Sequence, residues 1–182
     1  MKNIRVIITQ RKPLKVIGML IRTNMLENKI PKLWDEFIGR MEELNEIAVP
    51  ECTLGICLAV AVDDISDNTD FGYIAGRVVK NNSFIPDGMI YHELLEQEVA
   101  VFTHVGSLDN LSETYNYIYE EWLPESGYEL ADGDEVEWYD SRFKYDSADS
   151  QMDIHIPIKK AEKIENKLDI FEEIQTEIEE EK

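Results

Sequence analysis

The sequence predicts an α+β fold built from two copies of one small unit, strand-helix-strand-strand, that share an antiparallel-rich sheet and leave a groove at their pseudo-twofold junction. The prediction rests on the order of the periodic segments. Helical patterns begin near residues 30 and 108, and the last strand of each set begins near residues 71 and 150, an offset of about 80 residues that suits a duplicated unit rather than a solenoid repeat. The second observation is that short alternating runs outnumber helical ones. The third is length: a chain of 182 residues buries roughly 70% of the surface its unfolded form exposes, enough for one shared core.

In chain order, residues 4–22 alternate loosely between apolar and basic side chains and are interrupted by Arg11, Lys12 and Pro13, which predicts one bulged strand or two short ones. Ile30, Leu33, Trp34, Phe37, Met41 and Leu44 then recur on one helical face, with Pro31 placed to open a helix that ends before Pro50. Trp34 and Phe37 lie on the buried stripe and read as core. Strands follow over 54–62 and 71–79, joined by an acidic segment, 63–70, that lacks the glycine and closing glutamate of an EF-hand and reads as a solvated hairpin loop. After Pro86-Asp87-Gly88 an apolar stretch runs over 89–105. Ser107 or Asp109 caps a second helix through Leu111, Tyr115, Ile118 and Trp122, closed by Pro124. Strands over 135–143 and 151–158 complete the second unit. From Lys160 on, Ile164, Leu168, Phe171, Ile174 and Ile178 form a narrow apolar stripe among glutamates, so the chain divides into a domain over 1–158 and an acidic amphipathic helix over 159–182.

Charge sets the limits on function. The chain carries 18 basic against 38 acidic residues, a net charge of -20, and such a field repels nucleic acid and anionic membranes while attracting cations. Direct DNA binding is not expected. Cys52 and Cys57 lack a metal-ligand spacing and His92, His104 and His155 are scattered, so neither a metal nor another cofactor is expected. The N-terminus lacks the pattern of a signal peptide, and no run reaches the length of a membrane span; the expectation is a cytoplasmic protein.

The stretch Asp134 to Asp140 concentrates the question. In a strand, Val136 and Trp138 share one face while Glu137 and Tyr139 share the other. From the pattern alone, Glu137 reads as an ordinary exposed strand residue in a chain rich in acidic side chains. His104 reads as a structural histidine, since no nucleophile can be tied to it.

Several phrases occur together and in order: Ile30-Pro31 with Trp34 and Phe37; Phe71-x-Tyr73-x-Ala75-Gly76; Phe102-Thr103-His104-Val105-Gly106; Trp122-Leu123-Pro124-x-Ser126-Gly127-Tyr128; Val136-Glu137-x-Tyr139; and Ile154-x-Ile156-Pro157-Ile158. Over residues 1–158 the chain resembles the GyrI-like small-molecule-binding family, also met as the effector-binding domain of AraC-type and MerR-type multidrug regulators. The resemblance implies a tandem fold with a pocket at the junction that takes lipophilic cations or drug-like molecules. It moves Glu137 from exposed strand to pocket, with Tyr139, Tyr73, Trp122 and Phe71 as aromatic neighbours. No helix-turn-helix segment is recognised ahead of the domain, so the expectation is a stand-alone form whose partner is an amphipathic cation. Two other roles fit the same resemblance: an acidic interaction module directed at gyrase or a regulator, and a hydrolase using the pocket glutamate. Binding rather than enzymatic activity is the expectation, and the oligomeric state is left open.

Overall fold

The computed structural model describes residues 4–59, 66, 68–145 and 147–161. The expected acidic tail helix falls almost wholly outside the described residues, as does half of the 63–70 loop. The elements are β1 (Val6–Arg11), β2 (Leu14–Thr23), α1 (Ile30–Ile38), β3 (Ala48–Cys57), β4 (Phe71–Val79), β5 (Ile90–Leu94), β6 (Gln97–Val105), α2 (Leu111–Asn116), α3 (Leu123–Ser126), β7 (Tyr128–Leu130), β8 (Glu135–Tyr139) and β9 (Gln151–Lys160). The strands lie in the order β1-β6-β9-β8-β3-β4-β2-β5, with β7 added beside β9.

Each unit's opening strand is broken by a short elbow, Lys12-Pro13 in the first and Leu95-Glu96 in the second. Past the elbow the halves part company. β1 pairs with β6 of the second unit, Val6 opposite Phe102, while β5 pairs with β2 of the first, Gly18 opposite Ile90. The two units therefore exchange strands at both edges and meet in the middle, where β3 and β8 run antiparallel with Gly55 opposite Glu137. Those two residues are 82 apart (137 − 55), close to the 81 that separates the starts of α1 and α2 (111 − 30) and the 80 that separates β4 from β9 (151 − 71). Gly55 and Glu137 are thus equivalent positions of the two units, facing each other across the pseudo-twofold axis.

Period-two alternation sorts every central strand into two faces. One face packs under the helices: Ile17, Tyr73, Ala75 and Val79 under Leu33 and Phe37 of α1, and Ala100, Phe102, Ile154 and Ile156 under Ile118 of the second helix. Val16, Leu54, Ile56, Ile74, Leu94 and Val136 form a core on the other face made of strand residues alone, so the sheet curls over that side. Burying such side chains contributes about 1.5–3 kcal/mol each.

Several elements differ from the sequence reading, among them β8, which ends at Tyr139 and not at Phe143. The first α-helix stops at Ile38, and the apolar positions Met41 and Leu44 belong to a separate 3₁₀ turn fixed by Arg40, whose guanidinium donates to Glu43 at 2.7 Å and to the Asp87 carbonyl at 2.9 Å. Pro50 lies inside β3 rather than ahead of it, where the β3–β4 register slips between Ala48 and Thr53; a residue without an N–H is tolerated at such an irregularity. Pro124 does not close the second helix. After α2 the backbone widens into π-helical turns over Tyr117–Trp122, resumes as α3 with Pro124 in its first turn, and ends at Gly127, whose φ of 74° is left-handed. Widening before the proline avoids the clash its ring makes with the carbonyl four residues back, and a left-handed glycine is a common helix stop.

His104 joins β6 to the second helix: its Nδ1 meets the Thr114 hydroxyl at 2.7 Å and its Nε2 the Ser107 carbonyl at 3.1 Å. On the opposite face His155 stacks on Trp138, with ring centroids 5.5 Å apart and planes within 8°. Its Nδ1 is buried without a hydrogen-bond partner among the described residues. Burial, reinforced by the nearby Arg11 guanidinium, lowers its pKa to about 4.

Because the folded pKa lies below the usual 6.5, the unfolded chain takes up this proton first. The stability that depends on neutral His155 is present above pH 6.5 and is lost as the pH falls towards 4, by about 3 kcal/mol for a displacement of this size. Urea unfolding at pH 7 and pH 4.5 is expected to show a smaller difference for His155→Phe than for the wild type; equal differences would remove His155 as a cause of acid lability.

Candidate functional site

α1 and α2 lie on the same face of the sheet, and the floor between them is the β3–β8 pair. Every second residue of β8 projects there, so Glu135, Glu137 and Tyr139 share the floor, while Val136 turns into the strand-only core at 1% exposure. On β3 the facing positions are Thr53, Gly55 and Cys57. The helices supply the walls from equivalent places, since Trp34 and Tyr115 are each the fifth residue of their helix.

Glu137 is the meeting point. Its carboxylate accepts from the Tyr73 hydroxyl at 2.5 Å, the Tyr139 hydroxyl at 2.9 Å and the Tyr115 hydroxyl at 3.2 Å. Tyr73 is held in turn by the Trp34 indole N–H, which donates to its oxygen at 3.2 Å. Trp34 also meets Tyr139 edge-on at 5.1 Å, and Tyr139 meets Phe143 edge-on at 4.8 Å. Four elements and the loop after β8 thus converge on one half-buried carboxylate. Among the described residues no lysine, arginine or histidine forms an ion pair with it.

Burial first, and then the charge of Glu137, raise the Tyr73, Tyr115 and Tyr139 phenols well above their ordinary value. They remain neutral donors at any physiological pH. Hydroxyls satisfy the lone pairs of a carboxylate without cancelling its charge, so the cluster is hydrogen-bonded and still negative.

Gly55 makes the cluster sterically possible. A Cβ at this position would lie 2.0 Å from the Tyr73 hydroxyl and 2.7 Å from the Glu137 carboxylate, distances that nonbonded heavy atoms do not reach. On the pseudo-twofold axis one unit supplies the carboxylate and the other supplies the vacancy it occupies.

Of the residues singled out in the sequence, the structure brings Glu137, Tyr139 and Tyr73 into direct contact. It places Phe71 one strand repeat from Tyr73 against the same packed cluster, with no ring contact or hydrogen bond to Glu137 or Tyr139 shown, and it places Trp122 elsewhere. Trp122 packs edge-on against Phe102 at 4.9 Å and stacks on Tyr128, and it lines a separate surface groove of about 370 Å³ with Tyr117, Glu121, Glu125 and Ser126. Phe71 packs against the core beneath α1. Trp34, read as core, does pack against that core, but its N–H belongs to the cluster. Tyr115, Glu135 and Gly55 were not singled out. The four-residue spacing of Tyr115 and Tyr119 and the two-residue spacing of Glu135 and Glu137 were visible signals, whereas the Gly55–Glu137 opposition is a matter of tertiary register. Among the described residues no group of three His, Cys, Asp or Glu side chains is placed to hold a metal, and no helix is long and apolar enough to cross a membrane.

A duplicated α+β sheet with a half-buried, aromatic-walled carboxylate between its two helices defines a small-molecule-binding domain. The chain belongs to the GyrI-like small molecule binding domain family, whose model matches residues 5–159. It is 34% identical over 158 residues to the transcriptional regulator BrlR of Pseudomonas aeruginosa, an alignment that takes in 86% of this chain and 56% of BrlR, so the chain spans about half the length of that relative. Among solved structures it is similar to SAV2435 bound to tetraphenylphosphonium, with a TM-score of 0.70, 14% identity and coverage of 85% of this chain and 94% of the other. It is also similar to the C-terminal domain of EcmrR, with a TM-score of 0.65, 15% identity and coverage of 87% and 99%. These two likenesses are of fold.

Gly55→Ala tests the vacancy on the axis. The methyl group displaces the Tyr73 hydroxyl, and overpacking of this kind costs about 1–3 kcal/mol. Urea unfolding is expected to show a loss of that size, relieved when Tyr73→Phe is added; a fully stable single variant would mean that the close approach is not a constraint.

Proposed function

We propose that this domain captures lipophilic cations or similar drug-like molecules between its two helices, with Glu137 as the charge partner and Tyr73, Tyr139, Trp34 and Tyr115 as the aromatic surround. The observation that carries the reading is a carboxylate held by three tyrosine hydroxyls and without an ion-pair partner among the described residues. A charge drawn out of water without a partner is costly, and the pair is completed by a cation from outside. Two unit charges 4 Å apart attract by about 4 kcal/mol at an effective dielectric constant of 20, and each aromatic face adds about 0.5–2 kcal/mol. A bulky cation with a thin hydration shell gains both terms and loses little on leaving water.

Tetraphenylphosphonium, the ligand in the SAV2435 structure, is a molecule of this class. Membership of a family that includes part of the regulator BrlR supports an effector role, in which ligand capture reports the presence of toxic cations to the transcription machinery.

Titration of tetraphenylphosphonium against tryptophan fluorescence is expected to saturate in the wild type, because Trp34 abuts the site. Glu137→Gln, which keeps the shape and removes the charge, should weaken binding at least tenfold. Equal affinity in the two proteins would separate the glutamate from ligand capture.

A further inference from the structure

Glu135 occupies the same face of β8 as Glu137, one strand repeat away, and is half-buried. Its carboxylate accepts a hydrogen bond from the Tyr119 hydroxyl, and that of Glu137 accepts one from the Tyr115 hydroxyl at 3.2 Å. Tyr115 and Tyr119 are four residues apart in sequence, and their rings stack at 6.2 Å with planes within 11°. The site is therefore a ladder: two carboxylates on the floor, two parallel phenol rings above, each ring tied to its own carboxylate.

Nothing among the described side chains neutralises the second rung. Glu135 forms no ion pair there. The residue across the strand pair is Cys57, whose thiol is pushed up to about 12 by burial and then by the neighbouring carboxylates, so it is neutral and supplies no counter-charge. Burial also raises the Glu135 carboxyl above its usual range; the Tyr119 hydrogen bond opposes this and the charge of Glu137 adds to it. A positive centre beside Glu135 would offset the burial and the repulsion that disfavour its ionised form, and a single centre at Glu137 does not supply one.

We propose that Glu135 is a specificity-determining residue and that the site prefers elongated ligands with two positive centres, one against each glutamate, joined by a flat spacer beneath the paired tyrosine rings. The proposal rests on the reading of Glu137 as a cation partner. Residues two apart on a strand are separated by about 7 Å, which sets the spacing of the two centres. Aromatic bis-ammonium or bis-amidinium compounds with one ring between the charges have this geometry, and a single-centre cation uses half of it.

The experiment compares a matched pair of probes, para-xylylene-bis(trimethylammonium) and benzyltrimethylammonium, by calorimetry in 150 mM salt, with tetraphenylphosphonium as reference. Wild type is expected to bind the bis-cation at least tenfold more tightly than the mono-cation. Glu135→Gln should abolish that advantage while leaving both single-centre cations within about twofold, and Glu135→Asp should keep most of it. Glu137→Gln should weaken all three probes. The exposed Glu121→Gln, of the same charge change, should weaken none, which separates a local contact from the general field of an acidic protein. The proposal is overturned if wild type shows no preference for the bis-cation, if Glu135→Gln weakens mono- and bis-cation alike, or if Glu121→Gln reproduces its effect. Tetraphenylphosphonium binding that depends on Glu137 would in those cases leave the cation-capture reading standing. No binding of any probe to wild type would remove both.

Discussion

The structure turns on a carboxylate that accepts three hydrogen bonds and yet has no ion-pair partner among the described residues. Three phenols converge on Glu137 and are held by their own surroundings: Tyr73 by the Trp34 indole, Tyr139 by edge contacts with Trp34 and Phe143, and Tyr115 by stacking on Tyr119. Such an arrangement fixes the anion in place before any ligand arrives, and preorganisation of this kind reduces the ordering that binding would otherwise require. It also explains why the site is assembled from residues scattered between 34 and 143. A charge sharing a half-buried position needs donors from several directions, and no single element can present them.

Duplication makes that convergence available. Equivalent residues of the two units approach each other only along the pseudo-twofold axis, and there the fold meets a packing problem that symmetry cannot solve. If both axial positions carried a side chain, they would compete for one space; the 2.0 Å approach of a hypothetical Gly55 Cβ to Tyr73 shows how little room remains. Divergence of the halves, with glycine on one side and glutamate on the other, resolves it. Trp34 and Tyr115 kept their shared position and diverged only in chemistry, one donating to Tyr73 and the other to Glu137 itself.

Much of the fold was legible because the signals were local. Alternation in β8 placed Val136 in the core and Glu137 with Tyr139 on the opposite side, and β4 falls over Phe71–Val79 as its pattern indicates. Proline was the unreliable marker: Pro50 reads as a break and Pro124 as a stop, while the structure accommodates one at a register slip and the other after a widened turn. β7, only three residues long, gave no pattern of its own. Of the residues that the sequence phrases carried, Trp122 packs with Phe102 and Tyr128 while Phe71 packs beside Tyr73 without touching the hydroxyl cluster by any ring contact or hydrogen bond shown, and Tyr115 entered the reading as one apolar position among several on a helix. Which phenol reaches which carboxylate depends on how the helices lie across the sheet, and periodicity holds no information about that.

The exchange of β1 and β5 between the units has a mechanical consequence. Since each half of the sheet is closed at its edge by a strand from the other, the halves cannot part like jaws about the β3–β8 seam without tearing ladders at both ends.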